Sequence, residues 1–95
     1  MKIKIANSFR DRLNEQVEYI AKDKPSAARN FKTQILNRIK EIPKMPYAFR
    51  QSIFFDRADI RDLIFKGYIV VFKIDESQQL IQVFGFSKWQ AKPFN

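Results

Sequence analysis

Residues 60–86 read IRDLIF, KG, YIVVFKI, DESQQ and LIQVFGF in succession, three apolar runs separated by two connectors rich in turn-forming residues. The runs are dominated by β-branched and aromatic side chains, which pack well on a pleated surface. Gly67 can adopt the positive φ of a tight hairpin turn without steric penalty. Asp75 to Gln79 has the length of a longer hairpin loop. The pattern therefore predicts a three-stranded antiparallel meander. In the middle run Tyr68, Val70, Phe72 and Ile74 share one face, while Ile69, Val71 and Lys73 share the other. A strand so apolar on both faces belongs at the centre of a sheet, with a cover on each side. In the third run Leu80, Gln82, Phe84 and Phe86 alternate with Ile81, Val83 and Gly85. A glycine inside such a run predicts a bulge or a close backbone approach.

One cover lies upstream. Ser8 offers an N-cap, with Asp11 as its capping-box partner, and Phe9, Leu13, Val17 and Ile20 then form one helical stripe running to about Lys24. Pro25 cannot extend that helix but suits the first turn of another. Ala28, Phe31, Ile35, Ile39 and Ile42 continue at helical spacing, widened by Leu36, until Pro43. So short a connector predicts an antiparallel helical hairpin. Before it, Lys2 and Lys4 alternate with Ile3 and Ile5 in a short edge strand. After it, residues 43–55 (PKMPYAFRQSIFF) show no clean period and read as a crossing loop, with a short strand at Ser52 to Phe55. The expected fold is α+β in the order β-α-α-β-β-β. Its helical hairpin packs on one face of a small, mainly antiparallel sheet. Because the hairpin covers one face only, the other is expected to stay partly open at Ile69, Val71 and Val83.

The bulk properties bound the function. Ninety-five residues with 45% hydrophobic side chains suit one globular domain over 1–95. Cysteine and histidine are absent, which removes thiolate chemistry, the commonest metal ligand and the commonest general base. No metal or cofactor is expected. No apolar run approaches the ~20 residues of a membrane span, and MKIKIANSF holds no signal-peptide core, so the expectation is a cytoplasmic protein without membrane contact. The net charge of +8 favours an acidic or polyanionic partner. Residues 24–40 hold five basic side chains and no acidic one, either a solvated helix face or an anion-contacting one.

Four segments, VEYIAKDKPSAARNF (17–31), IKEIPKMP (39–46), IRDLIFKGYIVVFKI (60–74) and QVFGFSK (82–88), together resemble the ParE/RelE superfamily of toxins from bacterial type II toxin–antitoxin pairs. The order and spacing of these segments carry the resemblance, and it lies closer to the ParE-like branch. It implies a toxin neutralised by a cognate antitoxin, meeting operator DNA only through that antitoxin. ParE-like members poison DNA gyrase; RelE-like members cut messenger RNA on the ribosome. The second activity needs proton-transfer groups and cations that stabilise a phosphorane-like transition state. RelE-like chains place lysines in the first meander strand and an arginine after the Gly-Tyr pair. Here those positions hold Ile60, Asp62 and Ile69. The resemblance thus implies gyrase inhibition without a catalytic residue, the ribosome-dependent endoribonuclease being the alternative.

Candidate target contacts are Arg61, Lys66, Lys73, Lys88, Trp89, Lys92 and Phe94; candidate antitoxin contacts are Ile69, Val71 and Val83. Each has a plainer role open to it. Arg61 can pair with Asp56, Asp59 or Asp62, Lys66 can be a turn residue, and Trp89 with Phe94 can cover the sheet. Asp56, Asp59, Asp62, Asp75 and Glu76 read as turn and edge carboxylates.

Overall fold

A computed structural model of the chain describes residues 1–88. Strand β1 (Lys2–Ile5) leads into helices α1 (Asn7–Ala21) and α2 (Pro25–Glu41). Two 3₁₀ turns, Ile42–Lys44 and Pro46–Ala48, then carry the chain to β2 (Arg50–Gln51), followed by β3 (Ile60–Phe65), β4 (Tyr68–Asp75) and β5 (Leu80–Lys88). The sheet order is β1-β5-β4-β3-β2, antiparallel except where β1 runs parallel to β5. The predicted meander is present, and its middle run is the central strand. The short strand of the crossing segment is Arg50–Gln51, not Ser52 to Phe55, because Ser52 donates its backbone N–H to Ile60 and the chain then turns away from β3. Among the described residues no helix is long and apolar enough to cross a membrane.

The helical stripes pack as their spacing requires. Phe9 and Leu13 of α1, and Ala28, Phe31, Ile35 and Ile39 of α2, are buried. All of these but Ala28 meet Leu63, Phe65, Val70, Phe72, Ile74, Ile81, Val83 and Phe86 of the sheet in one core. Aromatic rings lock the layers: Phe9 on Phe86 at 5.7 Å, Phe31 on Tyr68 at 5.1 Å and Phe49 on Phe72 at 5.5 Å between centroids. Each large side chain so buried contributes roughly 1.5–3 kcal/mol of transfer free energy. The Ser8 cap does not form: α1 begins two residues earlier, with Ala6 at the N-cap and no side-chain bond to the first turn. It also ends at Ala21, where Lys24 donates its N–H to the Ile20 carbonyl and closes the turn into Pro25.

A bulge sets which faces of β5 look inward. Phe72 pairs with Val83 and Val71 with Gly85, so Phe84 is an extra residue in the ladder. Strict alternation groups Phe84 with Phe86; the bulge separates them. Phe86 joins the helix-side core and Phe84 packs on the opposite face with Ile60, Ile69 and Val71. Gly85 makes this possible, since a Cβ there would lie 2.9 Å from the Val71 Cβ.

Candidate functional site

The face away from the helices is built from Ile60, Asp62 and Ile64 of β3, Ile69, Val71 and Lys73 of β4, and Phe84 of β5. It is not open where the sequence predicts. Ile69 is 1% exposed, Val71 4% and Val83 0%. Val83 is lost to this face altogether, because its side chain enters the helix-side core. Val71 is covered by the chain between β2 and β3, which folds back over the sheet. There Phe55 meets Phe84 edge-on at 5.7 Å. Phe54 and Phe55 line a shallow groove of about 330 Å³ with Val71, Phe84 and Arg12. The apolar surface has moved outward onto the cover: Ile53, Phe54 and Phe55 are 57%, 50% and 40% exposed.

One carboxylate holds the cover in place. Asp62 lies inside β3 rather than in a turn or at an exposed edge, and its side chain is fully buried. Its Oδ2 accepts from the Ile53 backbone N–H at 3.1 Å and from the Arg50 guanidinium at 3.3 Å, while Oδ1 is buried with no hydrogen-bond partner. Buried Ser52 continues the clasp, its Oγ accepting from the Phe54 N–H at 3.2 Å. Further along, Arg57 donates to both oxygens of Asp59 at 3.0 and 2.7 Å. Those bonds hold the Asp59 carboxyl below the usual aspartate range. An acid within an apolar strand, preceded by unpatterned aromatics, was the available sequence signal for this clasp.

Among the described residues the predicted target contacts divide between the two ends of the sheet. Arg61 does not pair with an acid. Its guanidinium donates to the Ala58 carbonyl at 2.8 Å and the Phe49 carbonyl at 3.0 Å, and lies 5.2 Å from the Tyr47 ring centroid. It braces the start of the meander. Lys66 occupies the two-residue turn with φ of 46°, beside Gly67 at 84°, and its Nζ donates to Gln34 of α2 at 2.7 Å. Lys88 stands opposite Tyr68 at the same end of the sheet. There Arg12, Glu15, Tyr19 and Tyr68 line a second depression of about 330 Å³. Partial burial, with Tyr19 beside it, pushes the Tyr68 hydroxyl above the usual tyrosine range. Lys73 lies five residues away along β4, about 17 Å at the rise of a strand. Trp89, Lys92 and Phe94 lie outside the described residues.

The positions a cationic RNA-cleaving centre would use are hydrophobic or anionic and closed to solvent. Ile60 and Ile69 are buried side by side with Val71, and Asp62 is committed to the clasp. Among the described residues the nearest cations in register are Arg50, opposite Asp62 and bonded to its carboxylate, and Lys73, opposite Ile60.

Comparison with known proteins places this architecture. In a search of solved structures, the chain is similar to a protein of the chromosomal ParDE toxin–antitoxin system of P. aeruginosa, with a TM-score of 0.76 at 14% identity over 95% of this chain and 97% of that one. It is also similar to an E. coli RelE toxin mutant solved with a peptide of its antitoxin RelB, with a TM-score of 0.57 at 14% identity over 95% and 84% of the two chains. At such identity these likenesses establish the fold. No curated protein matches the sequence. The family model described as the ParE toxin of the type II toxin–antitoxin system parDE matches residues 3–88. That match takes in all the strands and both helices except the first residue of β1, and the chain belongs to the ParE toxin family of type II toxin–antitoxin systems.

Proposed function

We propose that this ParE-family toxin acts by binding DNA gyrase and inhibiting it, and that a cognate antitoxin neutralises it by covering its apolar surface. The observation that carries this reading is the fate of Ile60, Asp62 and Ile69, the positions where an RNA-cleaving relative needs cations. They are buried, and the one charged group among them is a carboxylate bonded to the backbone of Ile53. Losing even one preorganised charge-stabilising donor typically costs about 10²–10³ in rate, and here several are missing together. A gyrase inhibitor needs no such centre, because a few aromatic and basic side chains supply binding energy. Lys66, Lys73 and Lys88 remain candidate target contacts, as do Trp89, Lys92 and Phe94. Arg61 is better read as a brace, so Arg61→Ala lowers stability along with any effect on toxicity. Ile69 and Val71, both buried, can meet an antitoxin only if the structure around them opens.

The test expresses the chain alone in bacteria and follows two outputs, induction of the DNA-damage response and cleavage of ribosome-bound message. The expected result is growth arrest with DNA-damage induction, and inhibition of gyrase supercoiling by the purified protein. Discrete codon-specific cuts without any effect on supercoiling would overturn the proposal and favour the endoribonuclease reading.

A further inference from the structure

Between β2 and β3 the chain does something costly. Asp62 carries a carboxylate with one oxygen buried and unpartnered, and its other oxygen fixes the backbone of Ile53. A buried, incompletely satisfied charged group is a stability cost. Natural chains tend to keep such violations where function requires them. What this one achieves is to hold Ile53, Phe54 and Phe55 in one arrangement while each stays 40–57% exposed. Phe55 is wedged against Phe84, and Ile64, also exposed, extends the patch on the same face of β3. Cations surround it. Arg12 lines the groove beside Phe54 and Lys73 lies on the same face of the sheet, while Arg50 and Arg57, which flank the segment, are bonded to Asp62 and Asp59.

We propose that the Ile53–Phe55 segment is an anchor that inserts into an apolar, carboxylate-rimmed pocket on the folded target protein. This inference rests on the reading of the chain as an inhibitor that works by binding. Half-exposed aromatics on a backbone held by hydrogen bonds suit insertion into a preformed pocket, where hot-spot side chains lie. Preorganisation lowers the entropy lost on docking. A second copy of this chain is disfavoured, since it would bring the same cations together at a net charge of +8 per chain. Nucleic acid is disfavoured too. Aliphatic Ile53 and Ile64 make up part of the exposed apolar surface and offer no ring on which a base could stack. An acidic peptide lying along the groove that Phe54 and Phe55 line is the competing occupant, and the antitoxin probe distinguishes it.

The experiment compares wild type with Phe54→Ser and Phe54→Leu, purified as full chains and checked by circular dichroism. Three probes are used: intact gyrase, a duplex DNA oligonucleotide and the cognate antitoxin. Growth arrest of cells expressing each variant is scored in parallel. Phe54→Ser is expected to weaken gyrase binding by about 30-fold or more, as a hot-spot truncation does. Phe54→Leu should lose only about threefold, since it keeps most of the apolar volume. DNA binding should stay unchanged for both, and toxicity should be lost with Phe54→Ser alone. Unchanged gyrase binding by Phe54→Ser overturns the anchor and leaves the gyrase reading standing. Loss of antitoxin or DNA binding instead also overturns it. If wild type does not bind gyrase, the target reading fails on its own. The growth assay then decides the anchor: retained toxicity of a folded Phe54→Ser overturns it, and lost toxicity supports it.

Discussion

At Gly67 an added Cβ would meet nothing within 4 Å, yet φ is +84°, a conformation that disfavours any L side chain. At Gly85 the demand is for space, not for a special dihedral: the Cβ would sit 2.9 Å from the Val71 Cβ and 3.1 Å from its Cγ2. Neither atom is the loose end of a long side chain, so the strands themselves must shift. Gly85→Ala is therefore expected to destabilise by about 1–3 kcal/mol, the usual cost of overpacking. Adding Val71→Ala leaves the closest clash in place, whereas adding Val71→Gly removes both contacts. Urea unfolding should show the Gly85→Ala and Val71→Gly changes combining at about 1 kcal/mol less than their sum; simple additivity would refute the close approach. Asp62 makes a second residue-level test. Asp62→Ala strips the Ile53 N–H of its acceptor and should cost about 1–3 kcal/mol. Hydrogen exchange at the Ile53 amide should quicken in step. The Arg57–Asp59 pair contributes less, being exposed, and its sign is fixed by the lowered Asp59 pKa. Its contribution is present above the unfolded aspartate pKa and fades as pH falls through the depressed folded value, so carboxyl NMR should place the Asp59 midpoint below that of an ordinary aspartate.

Among the elements, α1 is the least well finished. Ala6 occupies its N-cap with φ −70° and ψ 147°, backbone angles a capping side chain also uses, but an alanine has no acceptor for the first-turn N–H groups. Ala6→Ser is expected to stabilise by about 0.5–2 kcal/mol, which for a domain of this size raises Tm by several degrees, ~4–8 °C per kcal/mol. An unchanged melting temperature would count against the assigned cap. The same helix shows where sequence is legible and where it is not. Phe9, Leu13, Phe31, Ile35 and Ile39 announce their burial because a helix repeats every 3.6 residues and needs only local periodicity to be read. The meander is equally plain from period-two runs bounded by Gly67 and Asp75. A bulge breaks that counting: Phe84 and Phe86 look equivalent until an extra residue in the ladder sends them to opposite faces. The segment from Pro43 to Asp59 has no period, and its placement depends on a long-range bond from Ile53 to Asp62, nine residues on. No local rule contains that bond. For this reason the path of the cover over Val71, and with it the candidate anchor, was not legible, although an acid inside an apolar strand marked the point where it is fastened.

At the scale of the whole molecule, charge and apolar surface divide the work of binding. A net charge of +8 on 95 residues sets up a positive field that speeds encounter with an acidic partner and is screened by salt. Exposed cations such as Arg12 act over that range, up to the Debye length of about 10 Å at 0.1 M salt. Side chains such as Phe54 act only after contact, by filling a pocket. The two contributions should separate kinetically. Raising ionic strength from about 0.05 to 0.5 M is expected to lower the association rate with an acidic target about tenfold or more, while dissociation changes little. Arg12→Gln should lower the association rate at low salt and flatten its salt dependence. Phe54→Ser should leave association nearly intact and accelerate dissociation, since most truncations at an anchor act on the off-rate. Stopped-flow association followed by competitor-chase dissociation measures both. If Phe54→Ser slows association as strongly as Arg12→Gln does and leaves dissociation alone, its aromatic ring is not held in a pocket, and the binding energy resides elsewhere on the toxin.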